Sequence, residues 1–302
     1  MAANPVTDLI PPKAPRLPAG PVEYDQRFID SFTSILRQYF NQVDNTIGQL
    51  IVAALNTESP LSADWALQVA RGKVSGVTQV NVFGNSQLVG STAYGPLWEG
   101  LTPSGGYYVY PSSAVQMSLV SSSASDTSSV TVLVSGLDTN WALQSETIAM
   151  NGTTPVTTVK SYLRINNLDI QTGTNVGAIT MSNGGTTYAK ILAGYGQSQM
   201  SIYSVPAGYT FYYTYFQADA NVSTVSSGWM NAGEYNVDNN VSPKSSTLLS
   251  QSTFIQKLDI PLTSPISHPG KTDIQYVFKA SSGTNTYANC YVGGYLIATG
   301  TP

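Results

Sequence analysis

The sequence predicts a mainly β protein that begins with an extended arm and a single long helix. Three observations carry this prediction. Prolines crowd residues 1–22, apolar residues recur in steps of three and four over residues 23–58, and short alternating runs separated by Gly, Pro and Asn turns fill the rest. We therefore expect a coiled-coil-like helix followed by antiparallel β-sandwich or jelly-roll domains.

The arm, residues 1–22, is predicted to be extended because each proline removes a backbone N–H and fixes φ. Such a segment becomes ordered only against another surface. We expect it to anchor the chain to a larger assembly, and the candidate anchoring residues are Pro11, Pro12, Pro15, Pro18 and Pro21.

The helix, residues 23–58, carries an apolar seam along one face. Its members recur at helical spacing: Ile29, Phe32, Leu36, Phe40, Val43, Ile47 and Leu50. A second apolar rank, at Phe28, Ile35, Tyr39 and Ile51, widens the stripe beyond a two-stranded seam. The pattern favours self-association of three or more chains. The alternative is one amphipathic helix packed within a monomer.

The β region is predicted to divide into a small domain, residues 59–128, and a larger sandwich, residues 129–302. The serine-rich run 121–126 (SSSASD) lies near this boundary, and we interpret it as an exposed loop or a linker. The larger piece holds most of the strand signals, including the hairpin turn at Asn151 and Gly152.

Composition excludes several classes of function. Only 10% of the residues are charged and the formal net charge is -4, so there is no basic surface for nucleic acid. No apolar run reaches the ~20 residues that a membrane span needs, and the start lacks a secretory signal. We therefore expect synthesis in a cytoplasm, with no nucleic-acid or membrane partner.

The search for catalytic chemistry finds no convincing site. His268 is the one histidine and is expected to be a solvated loop residue, and Cys290 is expected to be a buried small hydrophobe. The carboxylates show no spacing that singles out a catalytic pair, and no phosphate-binding or nucleophile motif occurs. The sequence thus predicts a protein that is not an enzyme and has no catalytic, cofactor-binding or metal-binding residues.

An aromatic run near the end of the chain is the best candidate for a contact surface. Strand alternation is expected to place Tyr209, Phe211, Tyr213 and Tyr215 on one face. Three interpretations remain open: the rings fill the sandwich core, they contact another subunit, or they form a platform for a sugar.

A block from about residue 130 to the end resembles virion structural proteins of marine podoviruses, including cyanophages. The segments that carry the resemblance are 136–141 (GLDTNW), 145–147 (SET), 151–156 (NGTTPV), 162–165 (YLRI), 177–180 (GAIT), 205–210 (VPAGYT) and 270–274 (GKTDI). The block covers about half of the chain, and the segments within it are fold-forming, with no catalytic signature. The arm and helix resemble the anchoring ends of phage fibres and decoration proteins.

This resemblance implies a non-enzymatic particle protein, assembled in the host cytoplasm and carried on the virion at the capsid surface. Its expected partners are copies of itself, as a homotrimer, and the major capsid protein or a tail component. The chain would act as a capsid decoration or head-fibre protein with projecting β domains. The alternative is a tail fibre or spike that binds host surface glycans.

Overall fold

A computed structural model describes two compact units, Met1–Val74 and Ser75–Pro302. The description covers Arg16 and residues 22–56, 65–101, 104–221, 230–241, 245–254, 257–282 and 286–300. For residues 48–56, 221 and 245–254 it covers the backbone alone.

The described part of the first unit is helical. Helix α1 spans Gln26–Asn56 and helix α2 spans Trp65–Ala70. The side chain of Asp25 accepts a hydrogen bond from the Arg27 N–H at 2.9 Å, and its carbonyl accepts from the Ile29 N–H at 3.2 Å. This is the pattern of an N-cap, so α1 begins at residue 26 and not at 23. Helix α2 was not predicted from the sequence.

The second unit is mainly β, as predicted, and every strand pairing described is antiparallel. Its described strands are β1 (Val77–Val89), β2 (Gly95–Pro96), β3 (Val115–Ser121), β4 (Thr131–Leu137), β5 (Leu143–Ala149), β6 (Val156–Tyr162), β7 (Arg164–Thr172), β8 (Ile179–Asn183), β9 (Thr186–Ile191), β10 (Ile202–Ser204), β11 (Tyr209–Asn221), β12 (Met230–Asp238), β13 (Ser245–Phe254), β14 (Lys257–Pro269), β15 (Thr272–Ala280) and β16 (Thr286–Ala298).

These strands form four sheets within the described residues. Sheet A has the order β1-β16-β11-β14, and sheet B has the order β10-β15-β12-β13 with β2 paired to β15. Sheet C has the order β6-β3-β8-β9, and sheet D has the order β5-β4-β7. Sheets C and D come from one continuous stretch, which is inserted between β2 and β10 of the other two sheets.

Sheets A and B pack face to face through aromatic side chains. The ring centroids of Phe211 on β11 and Tyr203 on β10 are 5.0 Å apart, and Tyr213 meets Tyr276 of β15 edge-on at 5.7 Å. Phe216 stacks on Phe278 at 6.3 Å. All six rings are at least nine-tenths buried, so they form the centre of the core between sheets A and B.

Sheets C and D are joined at their edges, where β5 lies beside β6 and β7 beside β9. The carboxylate of Glu146 on β5 accepts hydrogen bonds from the N–H groups of Val159 at 2.9 Å and Lys160 at 3.0 Å. Apolar residues that alternate along β3 and β4, such as Leu119 and Val132, are fully buried between the sheets.

The chain does not divide between residues 128 and 129, where the sequence predicted a domain boundary. Strand β3 lies before that boundary, yet it pairs with β6 and β8, which lie after it. The reason is that a strand is placed by partners distant in sequence, whereas composition shifts report only local character. The boundary between the compact units lies at Val74 instead.

The serine-rich run 121–126 is also not a linker. It ends at Asp126, whose side chain is completely buried and accepts hydrogen bonds from the Val176 N–H at 2.6 Å and the Gly177 N–H at 3.0 Å. The Ser121 hydroxyl donates to the same carboxylate. Burial opposes ionisation, but these hydrogen bonds outweigh it and lower the pKa of Asp126. The run is therefore fastened to the loop before β8.

Candidate functional site

The apolar seam of α1 is largely open to solvent in the described part of the chain. Ile29 is 40% exposed, Phe40 57% and Ile47 49%. Phe32, Leu36 and Val43 are partly exposed, and the side chain of Leu50 lies outside the described residues. The rings of Phe28 and Phe32 stack on one another at 6.1 Å, so the two apolar ranks form one continuous surface.

The proposed anchoring residues lie outside the described part of the chain. These are Pro11, Pro12, Pro15, Pro18 and Pro21. Their role in docking remains a prediction from the sequence.

The aromatic residues of β11 do not share one face. Phe211 is fully buried and Tyr213 is 5% exposed, so both fill the core between sheets A and B. A bulge between Tyr213 and Tyr215 then shifts the register with both neighbouring strands. Because the extra residue reverses the alternation, Tyr215 lies on the outer face of sheet A. Tyr209, before the bulge, is half-buried against the core.

The prediction that His268 is a solvated loop residue is wrong. It lies on β14 and is 3% exposed, with its Nε2 3.0 Å from Oε1 of Glu234 on β12. Its ring stacks on Tyr213 at 5.9 Å, and the Tyr213 hydroxyl donates to Glu234 Oε2 at 2.6 Å. Burial, and then the neighbouring Glu234 carboxylate, raise the pKa of Tyr213.

A weak signal in the sequence could have placed His268 correctly. Leu258, Ile260 and Leu262 alternate with polar residues, and the same period continues to Ile266 and His268. The prolines in this segment conceal the strand, but β14 lies at the edge of sheet A, where proline is tolerated.

An apolar cavity of about 150 Å³ opens beside this cluster. Its walls come from both sheets and include Phe216, Leu258, Ile266 and Tyr276, together with the carboxylate of Glu234. Glu234 and His268 are nevertheless each less than 4% exposed, so the pair is sealed within the core. Cys290 is also buried and does not offer an accessible nucleophile. Burial raises the pKa of its thiol to about 12, so the reactive thiolate is disfavoured.

A buried ion pair joins sheet D to sheet B within the β unit. Arg164 on β7 donates to both oxygens of Asp273 on β15, at 2.7 and 2.8 Å. The guanidinium also lies over the rings of Tyr110 at 4.6 Å and Trp141 at 4.5 Å. The Ser204 hydroxyl donates to Asp273 at 2.6 Å. This cluster was not foreseen, since its members come from five separate segments.

Two further observations concern metals and membranes. Among the described residues, no group of three or more His, Cys, Asp and Glu side chains could hold a metal ion. The described helices include none that is long and apolar enough to cross a membrane.

Comparison with known proteins leaves the family open. No family model matches the chain, and no curated protein matches it. Among solved structures, the VP2 subviral particle of infectious bursal disease virus matches at 12% identity and a TM-score of 0.16, over 74% of this chain and 73% of that chain. The Gx strain of the same virus matches at 11% identity and a TM-score of 0.16, over 74% and 71%. At these scores the comparison carries no argument about this chain.

Proposed function

We propose that the chain is a non-enzymatic structural protein of a bacteriophage particle, a capsid decoration or head-fibre protein of the kind found in marine podoviruses. The observation that carries the proposal is the exposed seam of α1, next in the chain to a mainly β unit with few charges. Such a helix favours assembly, because exposed apolar surface is removed from water when copies associate. The β unit, as sandwich or jelly-roll layers, would project outward.

The proposed assembly is a homotrimer held by α1. The stripe is wider than a two-stranded coiled coil requires, and the aromatic side chains of Phe28, Phe32 and Phe40 suit a broader core. The arm would dock on the major capsid protein or on a tail component through many weak contacts. Three copies held together would multiply these contacts, so that attachment becomes long-lived by avidity.

Analytical ultracentrifugation of the full-length protein tests the trimer. We expect a species of three times the 32.1 kDa chain mass. Phe40→Asp buries a charge in the seam and should yield monomers, whereas Ser34→Asp, which adds the same charge on the exposed opposite side of α1, should leave the trimer intact. A wild-type monomer or dimer would refute the proposed assembly.

Particle incorporation tests the arm and the location. Deletion of residues 1–22 should abolish incorporation while the β unit keeps its circular dichroism spectrum. Gold-labelled antibody against the β unit should decorate the heads of intact virions. A truncated protein that still enters particles at the normal level would contradict the role of the arm.

A tail fibre or spike that binds host glycans is the second candidate. The observation that favours it is a group of aromatic side chains on the outer face of sheet A, where Phe83 is 42% exposed. Gold label confined to the tail would support this candidate over the first.

A further inference from the structure

The outer face of sheet A carries an ordered set of aromatic and amide side chains. Strand register places Phe83, Tyr291 and Gln217 side by side across β1, β16 and β11. One row further on, Asn85, Asn289 and Asp219 are aligned in the same way. Residues two apart on a strand share a face, so both rows point to the same side. We call Asn81, Phe83, Tyr215, Gln217, Asp219 and Tyr291 the outer patch.

The three rings of the outer patch form one contiguous aromatic surface. The centroid of Tyr291 lies 5.0 Å from that of Phe83 and 5.8 Å from that of Tyr215. The Tyr291 hydroxyl donates to Asn81 Oδ1 at 3.0 Å, which fixes the ring along the sheet. The ring also needs the glycine at Gly293, where a Cβ would come within 2.9 Å of the Tyr291 hydroxyl.

Polar groups border the rings. The Tyr215 hydroxyl donates to Gln217 Oε1 at 3.2 Å, and Gln217 Nε2 donates to Asp219 Oδ2 at 3.5 Å. A depression of about 240 Å³ lies here, and its lining includes Phe83, Tyr291, Asn289, Gln217 and Asp219. That volume is below the roughly 300 Å³ at which pockets for drug-sized ligands begin, so it suits one small ring of a longer molecule.

We propose that the outer patch is a binding site for a neutral saccharide. One face of a sugar ring presents C–H groups, which pack against aromatic rings, and its edge presents hydroxyls that both donate and accept hydrogen bonds. The patch offers both surfaces: the rings of Phe83 and Tyr291 beside the amide of Gln217 and the carboxylate of Asp219. The proposal deepens the second candidate function, and it concerns the β unit alone.

The charges on this face favour a neutral ligand over an anionic one. Asp259 continues the row of Phe83 across the sheet, and the nearby Tyr215 hydroxyl, followed by the Lys257 ammonium, lowers the pKa of its carboxyl. The neighbouring cation, Lys257, is 3.4 Å from Asp259 and is thereby offset. Uronic or sialic acids would meet the carboxylates of Asp219 and Asp259 and be repelled.

The geometry disfavours a peptide strand as the occupant. The patch centres on β16 and β11, and each of these is paired on both sides. Strand addition needs a free edge with unpaired backbone groups, which the centre of a sheet lacks.

Saturation-transfer NMR and calorimetry on the full-length protein test the proposal. The probes are cellotriose, maltotriose, mannotriose and galactotriose, with trigalacturonic acid as the anionic comparison. We expect at least one neutral probe to bind saturably and trigalacturonic acid to bind at least tenfold more weakly. Saturable binding of trigalacturonic acid alone would overturn the proposal, and so would the absence of saturable binding by any of the probes.

Variants then assign the binding to the outer patch. Phe83→Ala should weaken binding at least tenfold, whereas Tyr195→Ala, which removes an exposed ring that does not line the depression, should leave it unchanged. Gly293→Ala keeps every ring but displaces that of Tyr291, and should also weaken binding. Equal losses in Phe83→Ala and Tyr195→Ala would refute the site. Phe40→Asp should not alter binding per chain, so this test is independent of the proposed assembly.

Discussion

Replacement of Arg164 by methionine should destabilise the β unit strongly. The side chain of Arg164 is 5% exposed and that of Asp273 is 3% exposed. Removal of the cation leaves a buried carboxylate without its counter-charge. It also removes the hydrogen bond to the Leu163 carbonyl at 2.8 Å and the contacts with the rings of Tyr110 and Trp141. Breaking one partner of such a pair costs about 3–5 kcal/mol.

The expected loss lies within that range because Asp273 is not left entirely without partners. The Ser204 hydroxyl and the Asn239 side-chain amide still donate to it, the latter at 2.8 Å. These bonds offset part of the cost of the unpaired charge, and loss of the two cation–π contacts adds about 0.5–2 kcal/mol each. We therefore expect a decrease of about 3–5 kcal/mol in the free energy of unfolding.

Urea unfolding followed by tryptophan fluorescence measures this loss, since Trp141 contacts the Arg164 guanidinium. With a slope of about 3 kcal/mol per molar urea, the midpoint should fall by roughly 1–1.7 M. Lys257→Met is the control: it breaks an exposed pair and should change the free energy by less than about 0.5 kcal/mol. A loss of unfolding free energy below about 1 kcal/mol in Arg164→Met would show that the ion pair does not hold sheets B and D together.

Two further predictions concern titratable groups. The pKa of Asp126 is lowered below its unfolded value of about 3.9, so its stabilisation is present above about pH 4 and is lost as the pH falls through the folded pKa. Asp126→Asn should therefore cost about 2 kcal/mol at pH 7 and progressively less as the pH is lowered below about 4, as measured by urea unfolding. A cost that does not fall with pH would contradict this. The Cys290 thiol, with its pKa raised to about 12 by burial, should not react with a thiol reagent at pH 8 until guanidinium unfolds the protein, and rapid labelling of the native chain would refute its burial.

The helix and the β class could be predicted because both depend on local patterns. The apolar spacing from Ile29 to Ile47 and the absence of proline indicate a helix whatever surrounds it, and the structure describes α1 over Gln26–Asn56. The positive φ of +59° at Gly152 confirms a turn at that position. The predicted hairpin was wrong, because β5 and β6 on either side of the turn belong to different sheets. The helix begins at residue 26 and not at the predicted residue 23, because Asp25 caps it. The apolar spacing alone does not mark the position of the cap.

The candidate sites were harder to predict because they depend on pairing between distant strands. Tyr215 has the same local pattern as Tyr213, and only the bulge between them sends one outward and the other into the core. His268 lies in a run with three prolines, and its burial follows from the edge position of β14. The outer patch combines residues of β1, β11 and β16, and no spacing along the chain announces that these strands are neighbours.

The sequence by itself determined the class of each region: a proline-rich arm, an amphipathic helix with an apolar seam, and a charge-poor antiparallel β region. These properties follow from residue preferences and periodicity, which act over a few residues. Only the tertiary structure decided which side chains meet, including Arg164 with Asp273, Glu234 with His268, and Phe83 with Tyr291. Such contacts depend on strand order and register, which are set by the packing of the whole core.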